Sequence, residues 1–107
     1  MIDGIIVQGS SPEHTLTLPF DTSFIKNLVV SYCQNEKEVL TKRLEDCAFN
    51  LNKISVGLSQ EETFLFSNKY LVTIEMRILD IEDEVHTIDP VTLRVKKSTN
   101  KEILSWK

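Results

Sequence analysis

Four side chains in this sequence have the chemistry to bind a transition metal or attack a substrate: His14, His86, Cys33 and Cys47. Structural zinc sites generally contain at least one local pair of ligands, such as C-x-x-C, because a short loop then fixes two ligands at once. No two of these residues are spaced in that way. The sequence therefore predicts no zinc site and no bound cofactor.

A nucleophilic cysteine is the next candidate, since Cys33 with either histidine would form a Cys–His pair. Cys33 follows Tyr32 in an apolar stretch, where burial raises the pKa of a thiol and lowers the fraction of reactive thiolate. Phosphate-binding loops need clustered glycines at the start of a helix, and Gly4, Gly9 and Gly57 form no such cluster. We therefore expect a protein without catalytic activity.

Acidic residues cluster at Glu61–Glu62 and again at Asp80–Glu84. Two carboxylates facing each other across a cleft are the machinery of glycoside hydrolases, and oxygen-rich loops suit calcium. The segment 80–84 lacks the glycine and the ligand spacing of an EF-hand loop. We interpret both clusters as solvated turns, with weak calcium binding at Asp80–Glu84 left open as the alternative.

The net charge of −4 argues against a nucleic-acid partner, because neutralisation of phosphates by a basic surface supplies most of the affinity in that class of protein. Basic residues are scattered except near the C-terminus. That group contains Arg94, Lys96, Lys97, Lys101 and Lys107. Lysines on an edge strand prevent pairing between sheets, so we interpret the group as a solvated edge strand.

The sequence also predicts neither membrane attachment nor signal-directed secretion. No stretch approaches the ~20 apolar residues of a membrane-spanning helix, and Met1–Gly9 lacks the basic and apolar regions of a signal peptide. Reduced thiols are the default without a secretion signal. A disulfide between Cys33 and Cys47 remains open if their strands are neighbours.

Alternation of apolar and polar residues, the pattern of half-buried strands, dominates the chain. The apolar faces of the predicted strands contain Leu16 and Leu18; Leu28, Val30 and Tyr32; Leu40 and Leu44; Ile54, Val56 and Leu58; Val72, Ile74, Met76 and Ile78; and Val91, Leu93 and Val95. Leu71–Leu79 is predicted as the longest strand, and Pro90 indicates an edge or a strand switch. Asn35–Glu36 and Asn50–Asn52 are predicted turns.

One segment departs from this alternation. Ser59 is followed three residues later by Glu62, the pattern of a capping box, which predicts one helical turn over 59–63. Short strands with regularly spaced turns, and no helix long enough for a crossover, are typical of antiparallel sandwiches. We predict an all-β, immunoglobulin-like antiparallel β-sandwich of about seven to eight strands, with residues 1–107 as a single domain.

Candidate interaction residues lie at the end of the chain. Trp106 belongs to a residue type enriched in interface hot spots, and it lies beside Ile103 and Leu104 in the segment 97–107. We interpret this segment as an extension or interaction tail. The alternative is that Trp106 packs against its own domain.

The segments Pro12–Ser23, Glu45–Cys47 and Ile54–Thr63 resemble a family of small uncharacterised proteins encoded in phages and prophages of Gram-positive bacteria. The resemblance extends from about Gly9 to Val95, and Leu58-Ser59-Gln60-Glu61-Glu62-Thr63 is its most specific part. More distantly, the strand order and the L-x-x-E-E-T turn are similar to the N-terminal β-sandwich domain of phage baseplate upper proteins. The resemblance implies a phage context and supplies no catalytic residues.

These observations favour a non-enzymatic phage virion structural or assembly protein of a baseplate, neck, tail or capsid. It would bind other structural proteins or copies of itself, in the virion or in the bacterial host cytoplasm. One alternative is an intracellular phage accessory protein that binds and inhibits a host protein, because charge complementarity lets an acidic protein dock into a basic channel. The least supported alternative is a small hydrolase or metal-binding protein.

Overall fold

Alternating apolar side chains build two packed sheets in the computed structural model, which describes residues 2–105. The strands formed by these residues are β1 (Gly4–Val7), β2 (Glu13–Thr17), β3 (Ile25–Gln34), β4 (Lys37–Arg43), β5 (Cys47–Asn50), β6 (Lys53–Gly57), β7 (Val72–Asp80) and β8 (Val85–Lys96). A short helix, α1 (Gln60–Thr63), and two 3₁₀ turns, Thr22–Phe24 and Leu44–Asp46, lie between strands. The predicted helical turn and number of strands are confirmed.

The strands divide between a large sheet, ordered β1-β8-β7-β3-β4, and a small sheet, ordered β2-β6-β5. Neighbouring strands run antiparallel except β1 and β8, which run parallel at one edge of the large sheet. Within the described chain no βαβ unit connects strands, so hairpins and longer loops make all the connections. The predicted all-β sandwich is therefore confirmed.

The core lies between the two sheets and contains the side chains that the alternation assigned to apolar faces. Its buried apolar residues are Ile6, Leu16, Leu18, Leu28, Val30, Tyr32, Ile54, Val56, Leu58, Phe66, Val72, Ile74, Met76, Ile78, Leu93 and Val95. Leu40, Leu44 and Val91 are half-buried and pack against this cluster. Burial of each aliphatic side chain stabilises the fold by roughly 1.5–3 kcal/mol relative to leaving it in water.

The β3–β4 hairpin has the turn that the sequence predicted. Asn35 and Glu36 have φ angles of 51° and 63°, and two left-handed central residues define the type I′ turn that matches the twist of paired strands. The β5–β6 turn also contains a left-handed residue, Leu51, with φ of 56°. A residue with a Cβ rarely adopts this conformation, so packing in the two sheets must impose it.

The longest strand is β8, with 12 residues, so the prediction that Leu71–Leu79 is the longest was wrong. The run continues through Pro90 because Asp89 and Pro90 together lie opposite Glu75, where the register of β8 shifts against β7. Such a bulge leaves the extra residue unpaired. Because β1 pairs with β8 only from Leu93 onward, Pro90 lies on an open stretch of edge and makes no strand switch.

Two short strands, β1 and β5, were not predicted. The pairing of β1 also corrects the interpretation of the basic C-terminal group. Arg94 and Lys96 lie in β8, which has β1 on one side and β7 on the other, so they do not belong to an edge strand. The edge of the sheet is β1, whose Ile5 and Val7 are exposed on the surface.

Candidate functional site

Cys33 does not come together with either histidine in the structure. Cys33 points outward from the large sheet, because its neighbour Tyr32 points into the core, whereas His14 points inward from the small sheet. Cys47 lies in β5 of the small sheet, and both cysteines are free. The Cys–His pair and the disulfide considered from the sequence are therefore not formed. Burial raises the pKa of both thiols, which keeps them protonated and weakly nucleophilic.

The capping box around α1 forms as the sequence predicts. The Ser59 hydroxyl accepts a hydrogen bond of 3.1 Å from the Glu62 backbone N–H, and the Glu62 carboxylate accepts one of 2.8 Å from the Ser59 N–H. Lys42 pairs with the same carboxylate at 2.8 Å, with only 14% of the lysine side chain exposed. Burial alone would raise the pKa of Glu62, but hydrogen bonds from Lys42 and Ser59 outweigh it and hold the pKa below its usual value.

Buried polar side chains hold the chain around α1 in place. Thr63 accepts a hydrogen bond from the Gly9 N–H and donates one to the Gln60 carbonyl. Gln8 donates to the Phe66 carbonyl at 2.8 Å. Gln34 donates to the Ser67 and Tyr70 carbonyls and accepts from the Ser67 N–H, at 2.7, 3.0 and 2.9 Å. We call this region, residues 59–70 with Gln8 and Gln34, the capped end.

His14 and Tyr32 form a polar contact between the sheets. Nδ1 of His14 lies 2.8 Å from the hydroxyl of Tyr32, whose ring is fully buried and packs against Phe66 with ring centroids 5.9 Å apart. Burial lowers the pKa of His14, and burial raises the pKa of Tyr32, so both groups are held neutral. Within residues 2–105, every buried side-chain nitrogen and oxygen has a hydrogen-bond partner.

The acidic loop Asp80–Glu84 is built as a turn. The Asp80 carboxylate accepts hydrogen bonds from the backbone N–H groups of Glu82 and Glu84 and lies 2.7 Å from Nε2 of His86. These contacts, the one with His86 first, hold the pKa of Asp80 below its usual value. Potential ligand atoms of Asp80, Glu84 and His86 lie within 4.8 Å of one another. The contacts of Asp80 are those of an Asp-stabilised turn, and calcium binding stays a prediction.

The predicted interaction tail folds back on the capped end. The backbone N–H and carbonyl of Leu104 make two hydrogen bonds of 2.9 Å with the Gln60 side chain, and Lys101 lies 6.0 Å from the ring centre of Phe64. Ile103 is 39% exposed and Leu104 69% exposed. Trp106, the third predicted interaction residue, lies outside the described residues.

A second surface, which sequence reasoning did not single out, has stronger features. It is the side of the large sheet that points away from the small sheet, and we call it the outer face. Its side chains include Ile5, Val7, Val29, Ser31, Cys33, Glu38, Thr41, Arg43, Thr73, Glu75, Arg77, Leu79, Val85, Thr87, Arg94 and Lys96. Val85 and Ile5 are 66% and 54% exposed. Aliphatic groups and arginines therefore share this face.

Strand register places two arginines on either side of a valine at the centre of this face. Val29 lies opposite Arg43 on β4 and opposite Arg77 on β7. Because neighbouring strands lie about 4.8 Å apart, the two arginine backbones are ~10 Å apart with Val29 between them. A depression of about 210 Å³ is lined by Val29, both arginines, Leu79 and Val85. This volume accommodates one bulky apolar side chain from a partner.

Three charged side chains of the outer face, Arg43, Glu75 and Arg77, make no ion pair among residues 2–105. The ion pairs among residues 2–105 join Lys26 to Asp83, Lys42 to Glu62 and His86 to Asp80. None of them involves Arg43, Arg77 or Glu75, although both arginines are close enough to Glu38 to lower its pKa further, after hydrogen bonds from Thr41 and Ser31. Arginine and aliphatic side chains gathered on an exposed patch are features of protein–protein interfaces.

The outer side of the small sheet is different. Its side chains are mostly small or polar: Glu13, Thr15, Thr17, Ala48, Asn50, Lys53, Ser55 and Gly57. Thr15 and Ser55 lie 3.3 Å apart and share a hydrogen bond. Among the described residues this side carries no arginine, so the two outer surfaces of the sandwich are chemically distinct.

No protein-family model matches the chain, and no curated protein matches its sequence. Among solved structures, the chain is similar to the extracellular domain of mouse leukocyte-associated immunoglobulin-like receptor 1, in a strand-swapped dimer. The TM-score is 0.50 at 10% sequence identity, over 88% of this chain and 87% of the mouse chain. The likeness confirms the predicted immunoglobulin-like fold. Among the described residues, none of the helical structure is long and apolar enough to cross a membrane.

Proposed function

We propose that this protein is a phage-encoded structural or assembly module that acts by binding other proteins rather than by catalysis. The observation that carries the proposal is the outer face of the large sheet, where Arg77, which makes no ion pair with a described residue, lies beside exposed Val85 and a shallow apolar depression. Interfaces are enriched in arginine, and their energetic centres are apolar pockets with charged neighbours.

The interior supports the same proposal, because its polar groups are already engaged within the fold. His14, Tyr32 and Cys47 are held in their neutral forms, and the polar side chains of the capped end bind neighbouring backbone. Polar side chains that are hydrogen-bonded to the backbone in this way stabilise the fold. The charged groups that remain free for a partner lie on the surface.

The phage setting rests on the resemblance of the segments Pro12–Ser23, Glu45–Cys47 and Ile54–Thr63 to the phage and prophage family. The partners we propose are other virion proteins or copies of this chain, located in the virion or the host cytoplasm. The mouse receptor domain of similar fold forms a strand-swapped dimer. That association supports the proposal that this sandwich too is built to associate.

The test uses a phage or prophage that carries the gene, with the gene deleted and then supplied in trans. We expect deletion to lower the yield of infectious particles, and the chain to be detected by mass spectrometry in purified wild-type particles. R77E on the outer face should fail to restore the yield, whereas K53E, a charge-matched change on the small sheet, should restore it. Particles that lack the chain and an unchanged yield after deletion would contradict the proposal.

A second candidate function, inhibition of a host protein, is favoured by the exposed acidic loop Asp80–Glu84. Acidic loops can occupy basic channels of nucleic-acid enzymes. Affinity capture from host lysate separates the two functions. Capture of a host nuclease, lost when Glu82 and Glu84 are changed to Gln and retained in R77E, would favour inhibition over assembly.

A further inference from the structure

The middle strand of the large sheet, β7, presents opposite charges side by side on the outer face. Glu75 and Arg77 are two residues apart, so both point outward, and both are exposed. Neither makes an ion pair with another described residue. Resting on the proposed function, we propose that the outer face pairs with the same face of a second copy of this chain, about a two-fold axis that crosses β7 between Glu75 and Arg77.

A two-fold axis at this position makes the surface complementary to itself. The axis lies in the interface and runs across the strands. Rotation about this axis stacks β7 of one copy on β7 of the other, with the two strands antiparallel. Glu75 of each copy then lies opposite Arg77 of the other, which gives two equivalent ion pairs. Such an isologous contact closes after two copies and does not propagate into a filament. The pairs form at the centre of the face, where water is excluded and interface energy concentrates.

The ends of the outer face match under the same rotation. Arg94 and Lys96 of β8 lie toward the end of the face where β7 begins. The acidic loop Asp80–Glu84 follows the other end of β7. An antiparallel overlay places the cationic end of one copy over the acidic loop of the other. The complementarity therefore extends along the strand direction and is not confined to one pair of residues.

Shape and apolar surface are consistent with this pairing. The molecule measures 47 × 35 × 19 Å, so a broad side of this slab has room for the ~800 Å² per partner that a specific interface buries. Val29, Leu79 and Val85 lie beside the proposed ion pairs and supply apolar area. The outer side of the small sheet has small and polar side chains in its central row, Thr15, Ser55 and Ala48.

The experiment is sedimentation velocity of the full chain from ~10 μM to ~1 mM. Wild type should dimerise, and R77E or E75R alone should weaken dimerisation by at least about tenfold, because each places like charges opposite one another. An equimolar mixture of R77E and E75R should restore dimers, since every facing pair is again of opposite charge. The double variant E75R/R77E should dimerise for the same reason. K53E should behave as wild type.

Circular dichroism checks that each variant is folded. We expect all of the variants to fold, because the changed side chains are exposed. A wild type that stays monomeric at ~1 mM, or dimers that are equally stable in R77E, would overturn the pairing. So would a mixture of R77E and E75R that remains monomeric. These outcomes leave the proposed function standing if the chain is still found in particles and R77E still fails to restore their yield. A chain absent from particles, together with an unchanged yield after deletion, would sink the proposed function even if the chain dimerises.

Discussion

The capped end and the outer face of the large sheet use polar groups in opposite ways. At the capped end, Gln34, Gln8 and Thr63 are buried and hydrogen-bonded to backbone. On the outer face, Glu75 and Arg77 are exposed and make no ion pair with a described residue. The difference separates two roles: buried, hydrogen-bonded polar groups maintain the fold, whereas exposed charges without an ion pair are available to a partner.

The first prediction removes the most connected side chain of the capped end. Gln34→Ala breaks three hydrogen bonds to the backbone of Ser67 and Tyr70 and leaves part-buried groups unpaired. We expect a loss of about 2–4 kcal/mol in the free energy of unfolding, measured by urea denaturation. Gln60→Ala, which breaks two exposed bonds to Leu104, is the control and should cost under ~1 kcal/mol. Equal losses would erase the distinction between buried and exposed polar groups.

The second prediction concerns pH. Burial lowers the pKa of His14 in the folded chain, so the unfolded chain, with an imidazole pKa near 6.5, binds the proton more readily. The contribution of neutral His14 to the free energy of unfolding is therefore complete above about pH 6.5. It is lost as the pH falls through the pKa of His14 in the folded chain, by at most ~1.4 kcal/mol per pH unit. Urea unfolding at about pH 7.5 and 5.5 brackets this window. His14→Gln should flatten the dependence, and an unchanged slope would contradict the assignment.

The third prediction tests the capping box. Ser59→Ala removes the acceptor for the Glu62 N–H and should cost about 1 kcal/mol of stability. Ser59→Asp keeps an acceptor at the helix start and should restore most of that loss. If Ser59→Asp has no higher melting temperature than Ser59→Ala, the cap stabilises the fold through some contact other than this hydrogen bond.

The smallest expected effect on stability is on the outer face. Arg77→Glu should change the free energy of unfolding by less than ~0.5 kcal/mol, because the side chain is exposed and makes no ion pair within the described chain. The same variant is expected to lose association. A destabilisation similar to that of Gln34→Ala would mean that Arg77 serves the fold, and the contrast between the two regions would fail.

Sequence patterns foretold the capped end better than the outer face. The Ser59–Glu62 box is local, and alternation from Val72 to Ile78 determines which side of β7 is buried, because a shift of one residue would expose every apolar side chain. The alternation also placed Glu75 and Arg77 on one side of a strand. The alternation could not place Arg43 in one cross-strand row with Val29 and Arg77, because that row depends on which strands are neighbours.

The short strand β1 was missed for a related reason. Ile5, Ile6 and Val7 are consecutive apolar residues without alternation, and the partner that makes them a strand begins at Leu93. Similarly, β5 follows a 3₁₀ turn and has only four residues. Strands this short carry too little pattern to be recognised without their partners.

The parallel pairing of β1 with β8 has a consequence for how the chain folds. Asp3 and Thr92, which bond at the start of this pair, are 89 residues apart. During synthesis β1 therefore cannot pair until β8 has been made, because closing so long a loop costs entropy that only late contacts offset. Until β8 arrives, Ile5, Ile6 and Val7 are a bare apolar edge. The nascent chain is thus most exposed to misassociation before β8 has been made.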